Sequence, residues 1–213
     1  MKKILVLALA GLMAVAAGTA SAGVLNSEEP GEASVHGWYL FPGDGDFTVF
    51  DGAAGVQGAY REWFAFPWGI GLNAGWGYYK VDKNTGSYKV STLGQFKGEC
   101  NVVPLGLDLF FNVIDWDNWN LVLGTGIQYL IVDSDLSAWD SAAGKRQDID
   151  VDNALMWNIE AEYEYMLSEK FYVSAGVGYQ VDIVRADTEC GDNDLRDTSF
   201  RGLFLRLGLK FLF

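Results

Sequence analysis

Residues suited to catalysis are scarce in this sequence, which has a single histidine, His36. Ser34 lies two positions before it, and a serine beside a histidine is one arrangement that activates a nucleophile. The two residues share one face of a predicted strand, but the sequence places no acidic residue to orient the imidazole. A packed histidine explains this pattern better than a catalytic base, so we predict that the protein is not an enzyme.

Acidic side chains collect in the segments that link the predicted strands. They are Asp44, Asp46, Asp133, Asp135, Asp140, Asp148, Asp150, Asp152, Asp187, Glu189, Asp192, Asp194 and Asp197. Carboxylates bind Ca²⁺, but the stretch "DNDLRD" lacks the EF-hand spacing. We predict no metal site and no cofactor, and we keep the hypothesis that divalent cations bridge these carboxylates to phosphates. The net charge of −13 makes nucleic acid an improbable partner.

A second group of charged residues lies within alternating segments. They are Arg61, Asp108, Glu160, Glu162, Glu164, Asp182, Arg206 and Lys210. In "ALMWNIEAEYEYML" the three glutamates share one face and the opposite face is apolar. We therefore expect these eight residues to form an internal ion-pair network.

Segments of about ten residues with period-two alternation indicate transmembrane β-strands. Eight are predicted, at residues 34–41, 53–64, 68–81, 101–113, 120–132, 153–167, 170–184 and 199–213. Short turns such as "AFPW" and "LSEK" alternate with long polar connections, including one over residues 133–152. The sequence therefore predicts an all-β protein, an eight-stranded antiparallel up-and-down transmembrane β-barrel with short periplasmic turns and longer extracellular loops.

The final strand fixes which face meets lipid. An Arg or Lys facing lipid at mid-depth costs about 2–4 kcal/mol, so Arg206 and Lys210 point inward and the intervening leucines point outward. An eight-stranded barrel is only wide enough inside for side chains, which favours a charged structural plug. A narrow cation pore along the acidic row is the alternative.

The N-terminus is typical of a secretory signal peptide, with Lys2 and Lys3, an apolar run and a small-residue cleavage site. We predict cleavage after Ala22, a short periplasmic segment at 23–33 and one barrel domain at 34–213. Export permits a disulfide between Cys100 and Cys190, both predicted on the extracellular side.

Aromatic residues flank the short turns at one end of the predicted strands, as in the girdle of a membrane barrel. They are Trp63, Phe64, Phe66, Trp68, Trp116, Trp119, Tyr165, Phe171, Phe211 and Phe213.

The chain resembles the small eight-stranded outer-membrane barrels of the OmpA/OmpX-like superfamily. The resemblance rests on "GAYREWFAFPWGIGLNAGWGYY", "VVPLGLDLFF", "FYVSAGVGYQ" and "LFLRLGLKFLF". It implies that Phe211 and Phe213 form the C-terminal signal that the barrel-assembly machinery reads, and that outer-membrane lipid surrounds the wall.

We expect an integral outer-membrane protein, non-enzymatic, whose barrel is an anchor and whose acidic loops serve surface interaction or envelope integrity. A small porin-like channel or ligand conduit is the first alternative, and a lipid-modifying enzyme is the second. The extracellular ligand is not identified by the sequence.

Overall fold

A computed structural model of the chain describes residues 31–43, 50–81, 93–141, 143–190, 193–194 and 198–213. The predicted signal peptide, its cleavage after Ala22 and most of the 23–33 segment lie outside the described residues. Asp44, Asp46, Asp192 and Asp197 also lie outside them. Within these described ranges, no helix is both long and apolar enough to cross a membrane.

Eight antiparallel strands close into a barrel. They are β1 Glu32–Pro42, β2 Phe50–Ala65, β3 Trp68–Val81, β4 Leu93–Trp116, β5 Trp119–Asp140, β7 Ala154–Ser168, β8 Phe171–Val184 and β11 Gly202–Leu212. Strand β5 pairs with β7, and β1 pairs with β11 to complete the closure. The predicted all-β, eight-stranded up-and-down barrel is confirmed.

Three further strands lie beyond the barrel at the end opposite the short turns. They are β6 Lys145–Val151, β9 Thr188–Cys190 and β10 Asn193–Asp194. Strand β6 pairs with the far part of β5, and β9 pairs with β6. We call the sheet made of β6, β9 and residues 93–101 of β4 and 133–140 of β5 the outer extension.

The prediction of a polar loop over residues 133–152 was wrong, because most of that segment is the hairpin of β5 and β6. Its alternation continues that of the barrel, with Leu136, Ala138, Ile149 and Val151 buried. The many aspartates made this segment resemble a polar loop in the sequence. In the structure, each exposed aspartate alternates with an inward residue.

The outer wall of the barrel is apolar. Along β11, Leu203, Leu205, Leu207 and Leu209 are exposed to between 43% and 68%. The equivalent positions of the other barrel strands also carry exposed large apolar side chains. A closed sheet with an apolar outer band pairs most of its backbone groups between strands, which is what spanning a bilayer requires.

The interior has two layers of different chemistry. Toward the outer extension, it is an apolar cluster that includes Leu40, Phe50, Tyr79, Ile149 and Phe200. Toward the short turns, most buried side chains are charged or polar, and they lie beside a small apolar cluster of Trp63, Phe110 and Val122. The hairpin of β5 and β6 contributes buried residues to the apolar layer. This packing explains why the segment forms strands instead of a solvated loop.

The aromatic residues at the short-turn end form contacts between neighbouring strands. The ring centroids of Trp116 and Trp119 are 4.6 Å apart, and those of Phe171 and Phe211 are 5.1 Å apart. Trp63 departs from the predicted girdle, because it is 6% exposed and its indole Nε1 donates to Glu32 at 2.7 Å. Trp63 therefore closes the interior instead of facing lipid.

Backbone pairing between β3 and β4 lapses at Pro104. The pairs Ala74–Leu105 and Gly77–Val102 flank the gap, and no pair is formed between them. Proline has no backbone N–H to donate to a sheet ladder. The wall is therefore weaker at this point than along the continuous ladders on either side.

Candidate functional site

The charged half of the interior is organised around Glu162, which is 1% exposed. One of its carboxylate oxygens lies 2.7 Å from Nη2 of Arg61, 3.1 Å from Nη2 of Arg206 and 3.3 Å from Nζ of Lys210. The other lies 3.2 Å from Nε2 of His36. Three cations from β2 and β11 therefore meet one carboxylate from β7 across the interior.

Two further glutamates of β7 extend this layer. Glu164 accepts from Nη1 of Arg61 at 2.9 Å and also pairs with Lys210. Glu160 accepts from Nη2 of Arg206 at 2.5 Å. Because successive inward positions of one strand supply all three carboxylates, the period-two pattern alone dictates their alignment.

Glu32 is a member of this layer that the sequence did not reveal. Its carboxylate lies 3.3 Å from Nη1 of Arg61 and 3.4 Å from Nζ of Lys210. The residue begins β1, two positions before the predicted start of that strand. Only the closure of β1 against β11 brings it to Lys210.

Arg61 also packs against aromatic rings, which shields its charge from water. Its guanidinium carbon lies 3.8 Å from the centroid of Phe110 and 5.5 Å from that of Trp63. A guanidinium stacks on such rings while its N–H groups bind carboxylates. We call Arg61, Arg206, Lys210, Glu32, Glu160, Glu162 and Glu164 the charged layer.

Glycines on neighbouring strands make room for this layer. A Cβ atom on Gly176 would lie 2.9 Å from Cγ of Arg206, and one on Gly208 would collide with the His36 ring. These inward glycines thus leave space for the long charged side chains of the layer.

His36 lies inside the charged layer rather than at an accessible site. Its Nε2 is 3.2 Å from Oε1 of Glu162 and 3.1 Å from Oγ of Ser174. Its Nδ1 is buried and has no hydrogen-bond partner among the described residues. A Ser-His-acid triad needs the serine and the acid on opposite ring nitrogens. Both partners here share one nitrogen, and Ser34 is not among them.

Asp108 is buried beside the charged layer, but amides hold it instead of cations. Its two oxygens accept from Nδ2 of Asn73 and, at 3.4 Å, from Nδ2 of Asn158. In the part of the chain that the structure describes, no ion pair involves Asp108. The sequence predicted its burial but not its amide partners.

Asp182 does not belong to the predicted network, which is a correction. Its carboxylate accepts from Oγ of Ser199 at 2.5 Å and from the backbone N–H of Phe200 at 2.9 Å. Its nearest cation in the described residues is Arg185, at 3.9 Å. Asp182 lies near the end of β8 farthest from the short turns, where it fastens the chain that enters β11.

A cavity of about 50 Å³ lies between the charged and apolar layers. Asp108, Glu160 and Arg206 line it on the charged side, and Trp38 and Phe204 line it on the apolar side. Pro104, at the gap in backbone pairing, is also part of its lining. The cavity therefore joins polar and aromatic surfaces next to the weak point of the wall.

No protein-family model and no curated protein matches the sequence. Among solved structures, the outer membrane protein OprG of Pseudomonas aeruginosa aligns with a TM-score of 0.59 and 15% identity, over 87% of this chain and 97% of that one. Neisserial surface protein A aligns with a TM-score of 0.51 and 11% identity, over 88% and 98%.

The chain has the fold of the small outer-membrane β-barrels. A major outer membrane protein from Thermus thermophilus also aligns, with a TM-score of 0.50 and 18% identity over 86% of this chain and 99% of that one. Sequence identities this low show the fold alone. With the apolar outer wall, this fold confirms the predicted outer-membrane location, and the short turns mark the periplasmic end.

The outer extension of this outer-membrane barrel carries an acidic face. It consists of the exposed residues Glu99, Asp133, Asp135, Asp148, Asp150, Asp152 and Glu189. Asp150 pairs directly with Glu189, and Glu99 pairs directly with Asp135, so each pair of carboxylates shares one side of the sheet. Like charges directly opposite each other destabilise a sheet.

Cys100 and Cys190 are buried free thiols in the structure. The disulfide hypothesis therefore does not describe this structure. Along the sheet, Cys190 pairs with Ile149, Ile149 with Leu136, and Leu136 with Gly98. Three strand spacings of about 4.8 Å each thus separate Cys190 from β4. The two cysteines belong to the apolar layer, which their burial supports.

The two C-terminal aromatics lie at the periplasmic end. The ring centroid of Phe213 is 6.1 Å from that of Tyr60 and 6.0 Å from that of Phe211. The backbone N–H of Phe213 donates to Gly31 at 3.2 Å. These contacts fix the end of the closing strand against β1 and β2.

Proposed function

We propose that this outer-membrane barrel is a closed anchor that holds the acidic face of the outer extension toward cationic surroundings. The acidic face is the observation that carries the proposal. Its sheet is fastened to the barrel by buried apolar residues such as Leu136 and Ile149. The carboxylates are therefore held in fixed positions instead of being spread along a mobile loop.

The occupant that we propose is a surface of phosphates bridged by divalent cations. Two pairs of carboxylates lie directly opposite each other, and a bound cation would convert their repulsion into a favourable interaction. The face lies beyond the lipid-facing wall on the extracellular side, where we expect the phosphates of the outer leaflet. Such cation bridges are a form of surface interaction that supports the integrity of the envelope.

The test compares two triple variants of the purified protein in detergent micelles. One carries D135N, D150N and E189Q on the acidic face, and the control carries D115N, D117N and E169Q, which are exposed at or next to the periplasmic turns. Binding of lipopolysaccharide with Mg²⁺ should weaken at least tenfold in the first variant alone, and EDTA should abolish it in the wild type. Equal binding by both variants, or an unchanged melting temperature with EDTA, would count against the proposal.

A closed interior supports the anchor over the porin-like alternative. The charged layer joins β1, β2, β7 and β11 across the lumen, and its side chains are almost completely buried. An ion crossing it would have to break several buried ion pairs, each costly to leave unpaired. We expect no conductance in planar bilayers for the wild type, and stepwise channel currents would contradict this expectation.

A conduit for small amphipathic solutes is a second candidate, favoured by the gap in backbone pairing at Pro104. The gap adjoins the cavity between the two layers, so a solute entering from outside would leave sideways into lipid. A disulfide across the gap in a W76C/V103C variant should block uptake of such a solute and restore it on reduction. Equal uptake with and without the disulfide would eliminate this candidate.

We also infer that the protein is not an enzyme, because Glu162 and Ser174 both meet the same nitrogen of a buried His36. Hydrolysis of phospholipid or lipid A by the purified protein, lost in a His36→Ala variant, would overturn this inference.

For assembly, we propose that Phe211 and Phe213 are read by the barrel-assembly machinery. An F213A variant should then accumulate in the periplasm without losing its ability to fold into micelles.

A further inference from the structure

The outward face of the outer extension changes charge with distance from the barrel wall. On β4, Glu99 lies nearer the wall and Lys97 lies farther out. On β6, Asp148 lies nearer the wall and Arg146 lies farther out. Side chains two positions apart on a strand share one face, so each acid and the cation beyond it point the same way. The acidic face therefore ends in positive charge on both strands.

Strand β5 runs between these two strands and carries an exposed indole at the same level. Beyond the lipid-facing Ile131, its outward residues are Asp133, Asp135, Ser137 and Trp139. Trp139 lies directly opposite Arg146, and Ser137 lies directly opposite Lys97. Residues directly opposite each other share one side of a sheet. We call Lys97, Ser137, Trp139 and Arg146 the distal patch.

Trp139 lies too far from the wall to belong to a membrane girdle. Its side chain is 43% exposed, and four residues of rise, about 13 Å, separate it from Asp135 along the strand. Charged side chains are costly against lipid, so the two aspartates before Trp139 place it outside the bilayer. An exposed indole in water buries a large apolar area when a ligand covers it, and Trp is prominent among the residues that dominate binding.

Arg146 is held beside this indole. Its Nη1 donates to Oγ of Ser137 at 3.2 Å, and its Cβ is close to that of Trp139 because the two residues are a direct cross-strand pair. The hydrogen bond restricts the guanidinium, so less conformational entropy is lost when a ligand binds it. Cation and ring are therefore presented together on a packed sheet.

An aromatic ring beside two cations suits a negatively charged sugar. The apolar C–H face of a sugar ring packs against an indole, and Arg and Lys bind carboxylate or phosphate groups on that ring. The carboxylates of Glu99 and Asp148, next to the distal patch, would repel a long polyanion such as nucleic acid. The patch is therefore matched to a short anionic saccharide.

We propose that the distal patch binds the negatively charged core sugars of lipopolysaccharide in the outer leaflet. This inference rests on the proposed function, in which divalent cations bridge the acidic face to the phosphates of the same lipid. The outward face then matches that lipid in order, with the apolar wall against acyl chains, the acidic face against cation-bridged phosphates and the distal patch against the sugars beyond them. Charge complementarity at both levels, and the continuity of the patch with the acidic face, favour this occupant.

The test measures the binding of two parts of the lipid separately by the purified protein in micelles. One probe is lipid-free core oligosaccharide in EDTA, and the other is lipid A without core sugars, in Mg²⁺. We expect the wild type to bind the oligosaccharide saturably and W139A to bind it about tenfold more weakly, as for loss of an interface hot spot. W116A, which removes an exposed indole at a periplasmic turn, should bind it like the wild type. A neutral dextran of the same length should not bind.

Further variants separate this inference from the proposed function. K97Q/R146Q should weaken binding of the oligosaccharide as W139A does and should leave binding of lipid A unchanged. The triple variant of the acidic face should lose lipid A and keep the oligosaccharide. No binding of the oligosaccharide by the wild type, equal binding of dextran, or unchanged binding by W139A and K97Q/R146Q would overturn the distal patch alone. Failure to bind lipid A, with the oligosaccharide still bound, would overturn the role of the acidic face alone.

Discussion

At the scale of residues, the interior depends on a few carboxylates that each serve several cations. Glu162 contacts Arg61, Arg206, Lys210 and His36 within 3.3 Å. Replacing one partner of a buried ion pair leaves the other charge buried without compensation. This destabilises the fold more than replacing both partners by apolar residues would.

We predict that Glu162→Ala lowers the free energy of unfolding by about 3–5 kcal/mol, the usual cost of breaking a buried pair. Equilibrium urea unfolding of the barrel in micelles measures this loss. Glu169→Ala, on the exposed turn after the same strand, is the matched control and should change the free energy by less than about 0.5 kcal/mol. Equal effects of the two changes would show that the charged layer does not stabilise the barrel.

The two cysteines should behave as unreactive free thiols. Burial raises the pKa of the Cys190 thiol, and the nearby carboxylates of Asp140 and Asp148 raise it further. Since the thiolate is the reactive form, the folded protein should react slowly with a thiol reagent near neutral pH and faster as the pH rises. Denatured, non-reduced protein should then show two thiols per chain, and finding none would establish a disulfide instead.

At the scale of elements, strands β5 and β6 extend the barrel because their inward residues join the apolar layer. Leu136 and Ile149 pair across the hairpin and are 4% and 1% exposed. Their carboxylate neighbours face outward, so the same alternation that builds the lipid-spanning wall continues into water.

We predict that Ile149→Ala loosens the outer extension without opening the barrel. Truncation of a buried isoleucine costs about 2–5 kcal/mol, and here the loss falls on a hairpin at the edge of the structure. Protease added to intact cells should cut the variant between residues 133 and 152 while the barrel remains protected. Asp150→Ala, the next residue on the opposite face, should stay as resistant as the wild type.

At the scale of the whole molecule, one closed sheet separates two environments, and these favour side chains of opposite polarity. The apolar wall requires lipid, and the charged layer requires exclusion of both lipid and bulk water. Neither half of this arrangement is stable alone, because opening the sheet would expose backbone groups to the bilayer and buried charges to hydrocarbon.

We therefore predict cooperative folding that is visible on gels. Unboiled protein should migrate differently from boiled protein and should be recovered in the outer-membrane fraction of cells. A single position on the gel under both conditions, with recovery in the soluble periplasm, would contradict the membrane-barrel fold.

The alternation of side chains was sufficient to predict the eight strands, the lipid-facing leucines of β11 and the inward direction of Arg206 and Lys210. These are local properties, because each strand has a period of two and lipid excludes charge from one face. The same reasoning placed three glutamates of β7 on one inward row, where the structure has them.

Properties that depend on strand closure were decided only by the tertiary structure. The pairing of β1 with β11 brings Glu32 to Lys210. The chain that enters β11 brings Ser199 and Phe200 to Asp182, which lies near the far end of β8 and away from the charged layer. The amide partners of Asp108 come from β3 and β7, far apart in sequence. A periodic pattern gives the face on which a side chain lies, but the register between distant strands decides which side chains meet.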